Sequence, residues 1–160
     1  MAVAPIPPGF RTVTPHLVMR GAAKAIEFYK KAFGAEEIMR MPGMTEGSIG
    51  HAEIKIGDSI IMLADEWPGM ALQAPEKLGG TTVSIHLYVK DCDTMFNQAV
   101  AAGAKVAMPV MDMFWGDRYG KVMDPFGHEW AIATHKEDVS PEECARRGAE
   151  AMKQMMAGKK

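Results

Sequence analysis

The chain has 160 residues, 48% of them apolar and 24% charged, which is ordinary globular composition for one domain or two small fused modules. A formal net charge of −2 speaks against the clustered basic face that nucleic-acid binding needs. No apolar run approaches the roughly 20 residues of a membrane span. The opening MAVAPIPPGFR lacks a basic region followed by an apolar stretch, so no secretory signal is expected. Cys92 and Cys144 form no metal-spaced pair and read as free thiols of a cytoplasmic protein. Most of the 15 methionines fall at apolar positions and read as core filler, while a minority could line an adaptable binding surface.

In chain order, the first strand pattern is Val13 to Val18. Ala22 to Phe33 follows with apolar residues at Ala22, Ala25, Ile26, Tyr29, Ala32 and Phe33, a 3.6-residue stripe that predicts a helix. Gly34 ends it in the manner of a left-handed cap. Strands are then expected over Glu36 to Met41, Gly50 to Ile56 and Ser59 to Asp65, the last two joined at Gly57-Asp58. Glu66 to Thr82 is rich in Pro and Gly and reads as a connection.

The same order then returns. Val83 to Val89 reads as a strand, Asp93 to Ala102 as a helix stopped at Gly103, and Lys105 to Pro109, Gly120 to Met123 and His128 to Thr134 as strands. Asp124-Pro125-Phe126-Gly127 supplies turn chemistry between the last two. Ser140-Pro141-Glu142-Glu143 opens a final helix to about Met156, with Ser as N-cap and Pro in the first turn, and Gly158-Lys159-Lys160 is expected to fray. The chain therefore reads as α+β: a βαβββ module over 10–66, a linker over 67–82, a second βαβββ module over 83–136, and a C-terminal helix and tail over 137–160. His16 and His86 occupy equivalent positions in the two first strands.

A four-stranded sheet under one helix has one covered face and one open face, and alternation assigns residues to them. Val83, Ile85, Leu87 and Val89 belong under the helix, as do Ala52, Ile54 and Ile56. Thr14, His16 and Val18, His51, Glu53 and Lys55, and Ser84, His86 and Tyr88 belong to the open faces. Two such sheets arranged face to face would line a cleft with these groups, the default site for a small molecule. The charged strand at His51, Glu53 and Lys55 also fits a solvated edge. The stretch Met111 to Tyr119 reads as a loop in which Trp115 and Arg118 suit a planar or anionic ligand, or as a hairpin loop whose Trp closes the core.

Ala25-Ile26-Glu27-Phe28-Tyr29 through Phe33-Gly34-Ala35, the Gly57-Asp58 hairpin and Asp124-Pro125-Phe126-Gly127-His128 resemble the vicinal oxygen chelate superfamily, which includes glyoxalase I, bleomycin-resistance proteins, fosfomycin-resistance enzymes and extradiol dioxygenases. More closely, the chain looks like its PhnB-like branch. The resemblance covers about Val13 to Lys136. It implies paired βαβββ modules forming a U-shaped cleft, usually in a homodimer, and in its enzymes a divalent metal held on the first and last strand of each module. Those positions fall here on Thr14, on Met62 or Ile61, on Ser84, and on Ala131 or Ile132. None is a His or carboxylate, and such side chains are poor ligands for a hard cation.

The expected function is therefore metal-independent binding of, or action on, a small, partly aromatic molecule. The expected ligand-binding residues are Thr14, His16, Glu53, Met62, Ser84, His86, Tyr88, Trp115 and Arg118, with no cofactor. The alternative is a metal-dependent lyase, isomerase or dioxygenase in which His16, His86 and Glu53 form a two-His-one-carboxylate site for a divalent ion. Metal-free acid–base catalysis by His16 or His86 is a further option, although the sequence supplies neither with a partner at fixed spacing.

Overall fold

The computed structural model describes residues 3–157, so the expected fraying at 158–160 lies outside the described residues. The first sheet is built from β1 (His16–Met19), β2 (Glu36–Pro42), β3 (Ile49–Ile56) and β4 (Ser59–Asp65), with α1 (Ala22–Phe33) between β1 and β2. Its spatial order is β1-β4-β3-β2, with β1 parallel to β4 and the other pairs antiparallel. The second sheet repeats this as β5 (Ser84–Tyr88), β6 (Lys105–Asp112), β7 (Asp117–Met123) and β8 (Glu129–His135), in the order β5-β8-β7-β6 with α3 (Cys92–Ala102). Between the halves lies α2 (Pro75–Leu78), and α4 (Pro141–Ala157) closes the chain.

Local chemistry sets the helix ends. Gly34 and Gly103 follow α1 and α3 in the left-handed region, which a residue lacking Cβ enters without strain. At the start of α1, Asp65 Oδ1 accepts from the amides of Gly21 (2.7 Å) and Ala22 (2.9 Å), so a carboxylate from the end of β4 meets the positive end of the helix. Asp91 caps α3 through Thr94 N, 3.0 Å away. Ser140 caps α4 as its spacing predicts, accepting from Glu143 N at 3.2 Å.

Three expectations need correction. The first strand begins at His16 rather than Val13, because Pro15 has no amide to give a ladder. Val83, expected under the helix, precedes β5 and is exposed. The expected loop from Met111 to Tyr119 is mostly strand: Met111 pairs with Tyr119 and Asp112 with Arg118. Pro109 is tolerated within β6 because β6 is an edge strand whose pairing is interrupted between Met108 and Met111.

Both sheets turn their helix-bearing faces toward one shared core. Leu17, Met19, Ile54 and Leu63 from the first and Val122, Trp130 and Ile132 from the second are buried in it with α1 and α3. The Trp130 ring lies 5.1 Å from Tyr29 and 4.5 Å from Phe33, centroid to centroid. Asp124, itself buried, joins the halves. Its Oδ2 accepts from Tyr29 Oη at 2.7 Å and Trp130 Nε1 at 2.9 Å, and its Oδ1 accepts from the amides of Phe126 and His128. The Asp-Pro-Phe-Gly turn is thus also a polar tie between modules, beside the bonds from His128 Nε2 to the Val18 carbonyl at 3.1 Å and from Gln98 Nε2 to the Lys31 carbonyl at 2.7 Å. Because the helix faces meet inside, the open faces look outward from the core, and among the described residues β1 and β5 each keep one edge that pairs with no strand, that of β1 meeting His128 Nε2 at the Val18 carbonyl.

α4 touches the body sparingly. Gly148 is its buried residue, where a Cβ would come within 3.0 Å of the Phe114 ring, and Arg147 makes a two-pronged ion pair with Glu137 at 2.8 and 2.9 Å. No helix among the described residues is long and apolar enough to cross a membrane.

Candidate functional site

On the first open face, strand register sets His16 beside Met62, Met62 beside Glu53 and Glu53 beside Met39. His51, two residues before Glu53 on the same face, pairs with Met41. The rings of His16 and His51 meet edge to face at 5.9 Å. His51 Nε2 lies 3.3 Å from Glu53 Oε1, and since a carboxylate only accepts, Nε2 carries the donated proton. Burial, and secondarily His51, holds the His16 pKa below the ordinary imidazole value. Beside His16 a cavity of about 230 Å³ is walled by Val18, Ala64, Trp67, Met70 and Leu72. The stretch expected to be a plain linker therefore contributes a wall to a site.

The second open face is aromatic. His86 lies against Tyr88 at 4.6 Å and Tyr119 at 5.7 Å, and Trp115 meets Tyr119 edge to face at 5.4 Å. Asp117, 2% exposed, holds this cluster. It accepts from Tyr88 Oη (2.9 Å), Trp115 Nε1 (3.0 Å) and His135 Nδ1 (2.8 Å). Burial alone would raise the Asp117 pKa, but these three donors outweigh it and bring it below the carboxylate norm. His86 is pushed down, chiefly by burial. In the repeat, Lys121 stands where Glu53 stands in the first module: His86 pairs with Ala131 and Ala131 with Lys121. Lys121 Nζ is held by Glu129 at 2.8 Å.

Of the residues expected in the site, His16, Glu53 and Met62 share the first open face, and Ser84, His86 and Tyr88 share the second, with Trp115 beside it. Thr14 precedes β1 and its hydroxyl donates to Arg11 O at 3.1 Å. Arg118 is a correction. It faces the helix side of its strand, where Asp93 of α3 binds it with two oxygens and Asp112 lies 3.2 Å away, so its charge is already matched. His16, His86 and Glu53, the alternative metal-ligand set, are not brought together within one chain. His86 stands on the other sheet, and the cavities that His16 lines do not include it. Among the described residues no three His, Cys, Asp or Glu side chains gather to hold a metal ion. The positions at which the resemblance implies ligands also do not fit one: Met62 and Ala131 offer no hard donor, and Ile61 and Ile132 point into the core.

His135, Asp117, Tyr119 and Trp67 were absent from the expected set. Their signal was faint, since Tyr119 comes beside Tyr88 and His86 through cross-strand pairing, Tyr119 with Ala133 and Ala133 with Tyr88, which alternation along one strand does not reveal.

The His135 contacts set a pH dependence. Both its nitrogens donate to carboxylates, Nε2 to Asp138 at 2.9 Å and Nδ1 to Asp117 at 2.8 Å, and Asp138 first, then Asp117, raise its pKa above the ordinary 6.5. A raised pKa contributes stability that is complete below the unfolded value and is lost as pH rises through the folded one. Melting temperature measured from about pH 5 to about pH 9 is therefore expected to fall more for the wild type than for His135→Gln as pH rises above the ordinary imidazole value. Parallel curves would remove this account.

Over residues 12–132 the chain matches the model of the Glyoxalase/Bleomycin resistance protein/Dioxygenase superfamily. It is 46% identical over 134 residues to the protein Mb0911c of Mycobacterium bovis, a match covering 82% of this chain and 88% of that one. Among solved structures, TioX from Micromonospora sp. ML1 is similar with a TM-score of 0.61 at 25% identity, over 81% of this chain and 100% of its own. A PhnB protein from Bacillus cereus shares the fold with a TM-score of 0.61 at 20% identity, over 78% of this chain and 99% of its own.

Proposed function

Because the chain belongs to the glyoxalase/bleomycin resistance protein/dioxygenase superfamily, we propose that it binds a small, partly aromatic molecule on its open sheet faces, without the divalent metal of the family's enzymes. The observation that carries this is the Asp117-held cluster of Tyr88, Trp115, Tyr119 and His86. Such a floor offers stacking area and little charge. The rings are fixed before any ligand arrives, which lowers the entropic cost of binding.

The working unit in this proposal is a homodimer. In one chain the open faces look away from each other, so a cleft between a first-module face and a second-module face takes a second copy. The outer edges of β1 and β5, which pair with no other strand among the described residues, suit that assembly. The free thiols of Cys92 and Cys144 suit a reducing cytoplasm.

The test is a thermal-shift and tryptophan-fluorescence screen of the metal-free protein against aromatic carboxylic acids and aromatic antibiotics. Binders are expected to perturb Trp115, and Tyr88→Ala to weaken them by about 1–3 kcal/mol. A silent screen, or binders that require an added metal ion, would overturn the proposal. Sedimentation of the protein as a monomer at all concentrations would overturn the dimer.

A further inference from the structure

We propose that the first open face holds a soft monovalent metal ion, Cu(I), between the imidazoles of His16 and His51 and the thioether of Met62. This goes beyond the binding of a small aromatic molecule and does not rest on it. The ion is also of a different class from the hard divalent ions that the positions implied by the resemblance fail to fit.

Three observations meet here. The first is the approach of the two rings. β4 lies between β1 and β3, so His16 on β1 and His51 on β3 meet above β4, with ring centroids 5.9 Å apart. An ion ~2 Å from one nitrogen of each ring stands ~3.1 Å from each ring centre, so bridged centres lie at most ~6.2 Å apart. The observed separation meets that bound. Ala64, the next residue of β4 on this face, presents only a methyl group and leaves the space above the strand to the rings. The second is the state of His51. It gives Nε2–H to Glu53 Oε1 at 3.3 Å, so its lone pair is on Nδ1. A carboxylate behind a metal-binding imidazole fixes the tautomer and makes the free nitrogen a better donor. Glu53, half-buried on the same strand, fills that place and is a positioning residue.

The third is Met62. It pairs with His16 on one side and with Glu53 on the other, so it stands on the strand over which the rings meet. Among the described residues no three His, Cys, Asp or Glu side chains gather to hold a metal ion, so the third donor here is sulfur. Thioether sulfur selects Cu(I), whereas carboxylate and carbonyl oxygens suit the hard divalent ions. All three donors are uncharged, so a monovalent ion places the least charge beside the apolar wall of Val18, Trp67 and Leu72. The repeat supplies a comparison inside the same chain. His86 stands where His16 does, but Ala131, Tyr119 and Lys121 stand where Met62, His51 and Glu53 do. The second face therefore lacks the site, and one ion per chain is expected.

The test uses the Cys144→Ser chain with isotope-labelled methionine methyl groups, because thiols also take soft ions; Cys92 is buried. Titration with Ag(I), a redox-inert analogue of Cu(I), is followed by NMR. One equivalent is expected to shift the Met62 methyl signal, identified by its absence in Met62→Leu, before those of the exposed methionines. One equivalent of Zn(II) is expected to leave it in place. Competition with bicinchoninate, under ascorbate and without oxygen, is expected to give one Cu(I) per chain. Glu53→Gln is expected to weaken that binding about 10–100-fold, and His51→Ala to abolish it while circular dichroism stays that of the wild type. Full Cu(I) uptake by the His16→Ala/His51→Ala double variant, an unchanged affinity in Met62→Leu, or a Ag(I) response spread over the exposed methionines with no shift of Met62 would each overturn the proposal. So would tighter binding of Zn(II) than of Cu(I). None of these outcomes bears on the aromatic cluster of the second face, so the ligand proposal stands or falls separately.

Discussion

Replacing Asp124 with alanine is expected to cost about 3–5 kcal/mol of stability in urea unfolding. One carboxylate accepts from Tyr29 Oη, Trp130 Nε1 and two backbone amides. Tyr29 and Trp130 are fully buried, so neither can turn to water when the acceptor goes. Each orphaned donor then carries its own desolvation cost, about 1–3 kcal/mol. Burial, with Asp124 beside it, holds the Tyr29 hydroxyl well above the ordinary phenol pKa, so it stays a donor at any pH the fold survives. The effect is also expected to be coupled. Tyr29→Phe alone removes one bond, and in the Asp124→Ala background it removes a penalty, so a double-mutant cycle should show a coupling of about 1–2 kcal/mol. A cost below about 1 kcal/mol for Asp124→Ala would show that ring packing and the other cross-module hydrogen bonds, His128 to the Val18 carbonyl and Gln98 to the Lys31 carbonyl, hold the modules together without it.

Gly116→Ala is expected to cost about 2–4 kcal/mol and to release the C-terminal segment. Gly116 has φ +98° and a Cβ there would stand 2.1 Å from the Glu137 carbonyl oxygen. Its own carbonyl accepts from Lys136 N at 2.9 Å and Glu137 N at 3.0 Å. A methyl group therefore meets backbone in a conformation already strained for an L residue, and the relief is for residues 136–140 to move off. Since α4 holds on through Gly148, Phe114 and the Arg147–Glu137 pair, it is expected to go with them. Faster hydrogen exchange over 141–151 and faster thiol labelling of Cys144 would register this. Unchanged protection in α4 would mean that the helix docks independently of the β6–β7 turn.

What the sequence disclosed and what it withheld divide along the range of the interaction. The stripe from Ala22 to Phe33 and the stops at Gly34 and Gly103 are local, and both helices lie where the pattern predicts. The alternation that put His16, His51 and Glu53 on one face and Ile54 and Leu87 on the other is equally local, and the structure agrees. Arg118 was misplaced for a reason of parity. Once β7 starts at Asp117, alternation puts Asp117 and Tyr119 on the open face and Arg118 against α3. Taking those residues as loop removed the parity. The inward meeting of the two helix faces was illegible for a different reason. An apolar face says that something covers it and leaves open what does. Phe33 and Trp130 look like any two core residues until the fold sets them 4.5 Å apart. The partner that sequence spacing denied to the histidines is His51 with Glu53, which becomes visible only when β3 is laid beside β4 and β1.

The edge strands β2 and β6 carry one more consequence. Met39 and Met41 pair with Glu53 and His51, and Met108 and Met111 with Lys121 and Tyr119, so thioethers border both open faces. Met39, Met41 and Met111 are exposed, as is Met70 in the cavity wall, whereas Met19 is wholly buried. Peroxide would reach the rims of the sites before it reached the core, and each sulfoxide would set a polar oxygen where a flexible apolar chain had been. The rims of both open sheet faces are thus open to oxidative damage, as are Met44 and the α4 methionines Met152, Met155 and Met156, and because methionine sulfoxide is enzymatically reducible, that loss can be undone without unfolding the chain.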